Sequence, residues 1–489
     1  MNQNRARRLQ DVLNQLSDVA TVTSCRSGEW QIDLETHALA SVAFHLAESL
    51  GANLAAYFLA SEGGTDRLHA VLPVGPEQTY LHLRAPLPAD GYCPRLDRHF
   101  PVAARYQQEM SGRAGPGRPV GEHPGLEGTG VFQYPLGPVR GDCYETVSFL
   151  IDTAGEHIIR LIPSLGYKHR GLEQRAVGLA PELALLLAER AGGTQAAAHG
   201  LAFCQALERL ADLAVPPRAN MLRVVIAELE RICGHLLDAG LSVGAAGHVV
   251  GAAQLDQLRE RFLRLNLTYF GNRYLFGAMA PGGLRRDLSA EQAESLRRAV
   301  GQLAADWQRI LAMVLATPSI IDRWETTGIV EYGDAWSLAA VGPVGRASGV
   351  DMDTRRDHPY AAYGQFPVEV PVYREGDALA RFRVRADELA VSFRLVQEAL
   401  SRLPGGPVQG GVPEVWPGGD ALGWVEAPQG ETLHWVCIGG GGTIAAYRIR
   451  AASFTNWGLF GPAAASGNIL QDFPLIDTSF TQSCADCDR

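Results

Sequence analysis

The segment from Pro216-Pro217 to about Leu237 constrains this chain more than any other. Two prolines open it, and a proline in the first helical turn sacrifices no intrahelical hydrogen bond. Behind them Val225, Leu229, Ile232 and Leu236 recur at helical spacing on one face. Glu228, Arg231 and His235 follow one another by single turns, so the same helix carries a stack of ionisable groups able to form a buried polar network. The helix is expected to end near Gly240. Similar periodicity predicts helices over Leu255 to Leu267, Ala290 to Leu315 and Ala386 to Leu403, the last ended by Pro404-Gly-Gly. These helices need a common interior. A chain of 489 residues, 46% hydrophobic and 20% charged, can supply one.

The flanks read differently. Residues 1 to about 85 combine a helical stretch from Thr36 to Leu50 with the strand-like alternation of Tyr80-Leu-His-Leu-Arg84, a small α+β unit. Gly and Pro crowd the stretch from Ser111 to Gly130, which marks a linker or extended arm. Residues 147–162, VSFLIDTAGEHIIRLI, fit a hairpin turning at Thr-Ala-Gly. Strand patterns return after about residue 422 in GWVEAP, ETLHWVCI and TIAAYRIR. The intervening Gly439-Gly-Gly-Gly-Thr443 lacks the Lys-Ser/Thr of a phosphate loop and is expected to be a hairpin turn. No internal repeat signals a solenoid.

The net charge of −10 and the lack of a basic cluster argue against a nucleic-acid partner. The opening MNQNRARRLQ has no apolar run of the secretory type, so the eight scattered cysteines are expected to be reduced thiols in the cytoplasm. The longest mostly apolar stretch, Ala239 to Leu255, is Gly-rich and short of the ~20 residues that span a bilayer. Membrane contact is therefore expected through partners.

Taken in order, Gly137-Pro-Val-Arg140, Tyr167-Lys-His-Arg-Gly-Leu-Glu173, Val215-Pro-Pro-Arg-Ala219, Glu228-Leu-Glu-Arg231 with His235, Gly342-Pro-Val-Gly-Arg-Ala-Ser-Gly349, Gly376-Asp-Ala-Leu-Ala-Arg381, Gly423-Trp-Val-Glu-Ala-Pro-Gln-Gly430 and Asp488-Arg489 form a set. They resemble the large subunit of group 4 membrane-bound [NiFe] hydrogenases of the formate hydrogenlyase and hydrogenase-4 type. They are also similar to the 49 kDa subunit of respiratory complex I. Residues 1–110, with Phe100-Pro, Glu109 and His123-Pro124, resemble a worn complex I 30 kDa subunit; 111–131 is the linker and 132–489 the large-subunit domain. The implied fold is α+β: a mainly helical hydrogenase-large-subunit body with β-hairpins, preceded by a small α+β domain.

In that family four thiolates hold nickel and the bridging iron, because soft sulfur suits both metals. The early pair follows an arginine and precedes a histidine. Here Arg190 to His199 puts Gly192 and Gln195 at those positions. The late pair seems present as Cys484-Ala-Asp-Cys487, but counting back from the final Asp-Arg puts Ser483 and Asp486 at the ligand positions. Offset by one residue, the cysteines are turned to another face of the backbone. The chain also ends at Arg489, with no tail for a maturation protease. All four ligands are read as lost. A zinc or disulfide role for Cys484 and Cys487 is the lesser alternative. The complex I quinone triad is replaced too, by Tyr144, Gly193 and Ala245, of which Tyr144 keeps a phenol able to bond a quinone oxygen.

The resemblance implies roles for what remains. Arg190 matches an arginine beside the [4Fe–4S] cluster of the small partner subunit, where a cation favours the reduced cluster. Glu173 matches a carboxylate on a proton route, with a helix-terminal ion pair to Arg170 or Arg175 as the alternative. Arg346, Asp377 and Arg381 match positions that line the cavity or tie its helices, while His235 is read as structural. The candidate catalytic residues are Tyr144, Arg190, Glu173 and Asp486; Arg190, His199 and Gln195 are candidates for cofactor contact, with no metal ligand and no cofactor held directly by this chain.

The resemblance implies a peripheral subunit on the cytoplasmic face of the cell membrane, docked on an iron–sulfur small subunit and on antiporter-like and anchor subunits. Its complex would be an oxidoreductase with quinone and NAD among its bound species. Electron transfer from the partner's [4Fe–4S] cluster would be coupled to ion translocation without H₂ chemistry. The alternatives are reduction of quinone or another small acceptor in the remodelled pocket, and a purely structural subunit.

Overall fold

The computed structural model describes residues 3–111, 126–141 and 145–489. The helix Pro217–Ala245 runs through the middle of the body, with Val225, Leu229, Ile232 and Leu236 all buried. It packs against the helices Val249–Phe270 and Ala378–Ser401, and the helix Ala290–Leu315 closes the bundle on the latter. Ala290–Leu315 has the expected bounds because Ser289 and Gln292 form a reciprocal capping box.

Expected boundaries shift in several helices: Leu255 to Leu267 lengthens to Val249–Phe270, with His248 accepting from Gly251 N at its start, and two others move for equally visible reasons. Gly240 does not stop the central helix, which continues five residues further to Ala245. A Cβ there would lie 3.4 Å from Asp256 Oδ1 and 3.6 Å from Leu255 Cβ, so this glycine allows close approach of the next helix. The helix expected from Ala386 begins at Ala378, since Asp377 accepts a hydrogen bond from Ala380 N at 2.8 Å and caps it.

Three larger sheets complete the fold. The N-terminal sheet runs in the order Ala20–Arg26, Glu29–Leu34, Thr79–Pro86, Thr65–Val74, Ala56–Glu62, with one parallel pair, and carries the helix Leu39–Leu50. Ser148–Ala154 and His157–Ser164 form the expected hairpin, with Val131–Leu136 added as its outer strand. Gly419–Ala427, Gly430–Ile438 and Ile444–Arg450 form the third sheet, and Gly439 N bonds Thr443 O in the turn.

The N-terminal unit does not stand apart. Tyr80 donates to Glu431 at 2.5 Å and Arg84 to Asp420 at 3.1 Å, so the first sheet packs on the third. The Gly/Pro-rich stretch at 112–125 lies outside the described residues.

The helix Ala196–Leu210 lies directly on the strand Gly419–Ala427. Gly423 makes this possible, because a Cβ there would stand 1.9 Å from Ala202 O. Gly423→Ala is expected to cost ~3 kcal/mol of stability through overpacking. Urea unfolding would show it, and a midpoint equal to the parent's would mean that the helix is free to lift away.

Candidate functional site

Two loops meet at the heart of the body, one at 190–195 and the other at 481–489. The late loop is held by the segment that precedes the early one. Asp488 accepts from Gly166 N and Lys168 N at 2.8 Å each, and His169 Nδ1 lies 2.7 Å from Asp488 O. Arg170 bridges both loops, donating to Arg190 O at 2.6 Å and to Ala191 O and Ala485 O at 2.8 Å. Glu145 accepts from Ser483 Oγ at 3.0 Å, from Ala485 N at 2.7 Å and from Cys484 N.

Between the loops the side chains that meet are Gln195 and Asp486. Gln195 Nε2 donates to Asp486 Oδ2 at 3.1 Å, and Ser453 Oγ lies 3.3 Å from the same oxygen. Gly192 adjoins both Asp486 and His199, since a Cβ on it would lie 3.5 Å from Asp486 Cβ and 3.1 Å from His199 Nε2. Ser483, Asp486, Gly192 and Gln195 thus share one small region. Cys484 and Cys487 belong to the apolar cluster containing Trp457 and Phe460, and burial pushes the Cys487 thiol well up.

A glycine, an amide, a hydroxyl and a carboxyl do not fit a [NiFe] centre, which needs soft sulfur donors. Among the described residues no group of three or more His, Cys, Asp or Glu side chains is placed to hold a metal ion.

The region is electrostatically unusual. Burial, reinforced by the Glu145 charge, raises the Asp486 carboxyl to about 8. Burial, with the Arg170 cation behind it, lowers His199 to about 3. The helix start beside it is capped by Glu230 of the central helix, which accepts from Ala197 N at 2.7 Å and Ala198 N at 2.8 Å. Burial nonetheless lifts Glu230 to about 8.

A cavity of about 610 Å³ opens beside these loops. Gly193, Thr194, Glu145, Gln429, Gln482 and Ser483 form its inner wall, and Leu237, Leu241 and Leu263 give it an apolar side. Three of its charged groups are ion-paired: Asp238 with Arg385 at 3.0 Å, Glu260 with Arg273 at 2.5 Å and Asp477 with Arg140 at 2.5 Å.

Of the candidate residues, Gln195, His199 and Asp486 come together. Arg190 does not join them. It is exposed, donating to Leu186 O at 2.6 Å with its guanidinium 5.4 Å from the Phe276 ring centre. Glu173 lines a different cavity, about 450 Å³, between the N-terminal unit and the body. Its ion-pair partners are Arg489 at 2.6 Å and Arg448 at 3.7 Å, in place of the expected Arg170 or Arg175, because it faces the strand Ile444–Arg450 and accepts from Ile449 N at 2.8 Å. Tyr144 lies outside the described residues.

His235 bonds Glu388 at 2.7 Å, and Arg346, Asp377 and Arg381 tie helices together. Three residues of the region escaped sequence reasoning: Glu145, His434 and Tyr447. The signal for His434 was a lone histidine in a strand whose every residue is buried.

Comparison with known proteins places this architecture. Residues 245–417 match the family model described as respiratory-chain NADH dehydrogenase, 49 Kd subunit. Formate hydrogenlyase subunit 5 of Escherichia coli (strain K12) is 33% identical over 355 residues, 72% of this chain and 62% of that one. The carbon monoxide-induced hydrogenase of Rhodospirillum rubrum is 30% identical over 362 residues, 73% of this chain and 99% of that one.

The chain belongs to the family of hydrogenase large subunits and the complex I 49 kDa subunit.

Among solved structures, a chain of the membrane-bound sulfane sulfur reductase, an archaeal respiratory membrane complex, aligns with a TM-score of 0.70 at 26% identity. The alignment covers 73% of this family member and 98% of that chain. Relative to formate hydrogenlyase subunit 5, this member spans just over three fifths of the relative's length. No helix among the described residues is long and apolar enough to cross a membrane.

Proposed function

We propose that this chain is a peripheral subunit of a membrane-bound, energy-converting oxidoreductase complex that has lost the [NiFe] centre. In this reading electrons arrive from a [4Fe–4S] cluster in a small partner subunit and reduce a small acceptor in the 610 Å³ cavity. The reaction is coupled to ion translocation by antiporter-like and anchor subunits, and the chain lies on the cytoplasmic face. The exposed Arg190 faces the partner and favours its reduced cluster, while the N-terminal unit plays the part of the complex I 30 kDa subunit.

The observation that carries this reading is the pairing of a thiolate-free polar floor, Gln195 with Asp486 at 3.1 Å, with an adjoining cavity lined by Gly193, Thr194 and Ser483. A purely structural subunit would have filled that space with apolar side chains. The paired charges of the cavity suit a neutral acceptor, and a quinone headgroup taking up two electrons and two protons is of that class. The structural relative named for sulfane sulfur reduction is in keeping with acceptors other than protons in this family.

Gly193→Trp tests the reading. Gly193 lines the cavity and a Cβ on it meets nothing within 4 Å, so the indole enters the cavity without backbone conflict. In purified complex, oxidation of the reduced clusters by a short-chain quinone is expected to fall at least ~10-fold. Arg190→Ala and Tyr144→Phe are expected to slow it less. Metal analysis should find far less than one nickel per chain. Unchanged oxidation in Gly193→Trp, or stoichiometric nickel and iron, would each overturn the proposal.

A further inference from the structure

His199 is completely buried, yet its Nε2 has no hydrogen-bond partner. Asp486 Oδ1 and Gln195 Oε1 are in the same condition. Gly192 is the neighbour of both His199 Nε2 and Asp486, and a Cβ on it would crowd that nitrogen at 3.1 Å. Buried polar atoms are almost always satisfied, so three orphans around one glycine mark a small polar chamber suited to water.

The other side of His199 is fully connected. Its Nδ1 lies 2.9 Å from Nε2 of His434, and Nδ1 of His434 lies 2.7 Å from the Tyr447 hydroxyl. All three side chains are buried, and Phe203 holds the Tyr447 ring edge-on at 5.4 Å. Tyr447 does not itself line the 450 Å³ cavity, but Arg448, Ile449 and Arg450, which follow it in its strand, line that cavity together with Glu173, whose charge reaches the Tyr447 hydroxyl.

Two sets of ring tautomers satisfy these contacts, and a relay runs in the inward one. With the Tyr447 O–H donating to His434 Nδ1, His434 carries its proton on Nε2 and donates it to His199 Nδ1. His199 then carries its own proton on Nε2, facing the chamber at Gly192. Every donor in the chain points inward. A histidine pair with a purely structural role would have closed its last donor on a protein acceptor. This one ends among buried polar atoms that have no protein partner.

We infer that Tyr447, His434 and His199 form a proton relay from the cavity at Glu173 to the polar chamber bounded by Gly192, Gln195 and Asp486. One inward transfer moves the Tyr447 proton to His434 Nδ1, the His434 Nε2 proton to His199 Nδ1, and the His199 Nε2 proton to an acceptor in the chamber. Each ring gains one proton and loses one, so neither stays charged, and Tyr447 regains its proton from the side of Glu173 and the outer cavity. Both rings are then left with their protons on Nδ1, and each must turn over to bring that proton back to the inward side before another can pass. Burial holds both rings neutral throughout, with His434 well below the usual histidine range. As a supply of protons for acceptor reduction, the relay rests on the function proposed above; as a proton path it does not.

The test uses the intact chain labelled with ¹⁵N-histidine and transferred to D₂O. Exchange of the His199 and His434 ring protons is expected to be at least ~10-fold slower in Tyr447→Phe than in the parent, a modest share of what a positioned proton-transfer group contributes. His434→Gln, which keeps hydrogen bonding but lacks the second ring nitrogen, should slow His199 in the same way. Loosened packing would accelerate exchange, the opposite sign, and backbone amides of the 430–450 strands report it directly. Ring exchange unchanged or faster in Tyr447→Phe would overturn the relay. In assembled complex the same variants should lower steady-state acceptor reduction at least ~10-fold while leaving a single oxidation of the clusters untouched. Slowed ring exchange without slowed turnover would keep the relay and reject the proposed function.

Discussion

Arg346→Met is expected to remove about 3–5 kcal/mol of stability, the cost of stranding buried carboxylates without their cation. Arg346 is 0% exposed and bonds Glu388 and Glu426 at 2.8 Å each, with Asp353 at 3.5 Å. Glu388 in turn holds His235 at 2.7 Å, and Asp353 holds Arg355, which reaches Glu228 at 3.2 Å. This network joins the central helix, the helix Ala378–Ser401 and the strand Gly419–Ala427, the three walls behind the site. Burial raises the Glu388 carboxyl, but Arg346 and His235 outweigh it and keep it well below the usual range. Without Arg346 that balance reverses, and the native state takes up protons that the unfolded chain has already released. The loss should therefore be larger at pH 8 than at pH 5, because a raised native pKa makes stability fall as pH rises. Urea unfolding at both values checks this. Adding Glu426→Gln should restore part of the loss. A loss below ~1 kcal/mol at both pH values would show that the charges are solvated in a way the burial denies.

Much of this was legible in the chain. The Ala290–Leu315 helix follows from periodicity and a capping box, both local. The late-loop register was legible as well: counting from Asp488-Arg489 selects Asp486, and the structure sets Asp486 against Gln195 and Gly192 while Cys484 and Cys487 pack among aromatics. What sequence could not show is contact across long separations. His434 meets His199 only because Gly423 lets a helix lie on a strand, and no local pattern encodes that approach. Glu173 matched a family carboxylate, yet its partner Arg489 is 316 residues away. Gly240 misled for the related reason that glycine serves close packing as readily as it ends a helix.

Asp486→Asn should abolish a pH dependence that the parent shows. The parent carboxyl, raised to about 8 chiefly by burial and then by the Glu145 charge, stands against ~3.9 in an unfolded chain. Between those values the native state holds a proton that the unfolded state has lost. This contribution to stability is fully present below pH ~4 and disappears as pH climbs through the native value, at up to ~1.4 kcal/mol per unit. Asparagine keeps the shape and can still accept from Gln195 and Ser453, so the variant's advantage over the parent should grow from pH 5 to about pH 8 and then level off. Urea midpoints from pH 5 to 9 give the comparison, and parallel profiles would mean that Asp486 titrates as an ordinary carboxylate. The consequence reaches the site itself. A carboxyl that stays neutral near pH 7, in the buried region where the Tyr447–His434–His199 chain ends, can hold a proton without burying a charge. The family's thiolates, by contrast, had to be ionised to hold metal. On the function and relay proposed above, exchanging thiolate for neutral carboxyl and amide would turn a pocket that binds a cation into one that passes a proton.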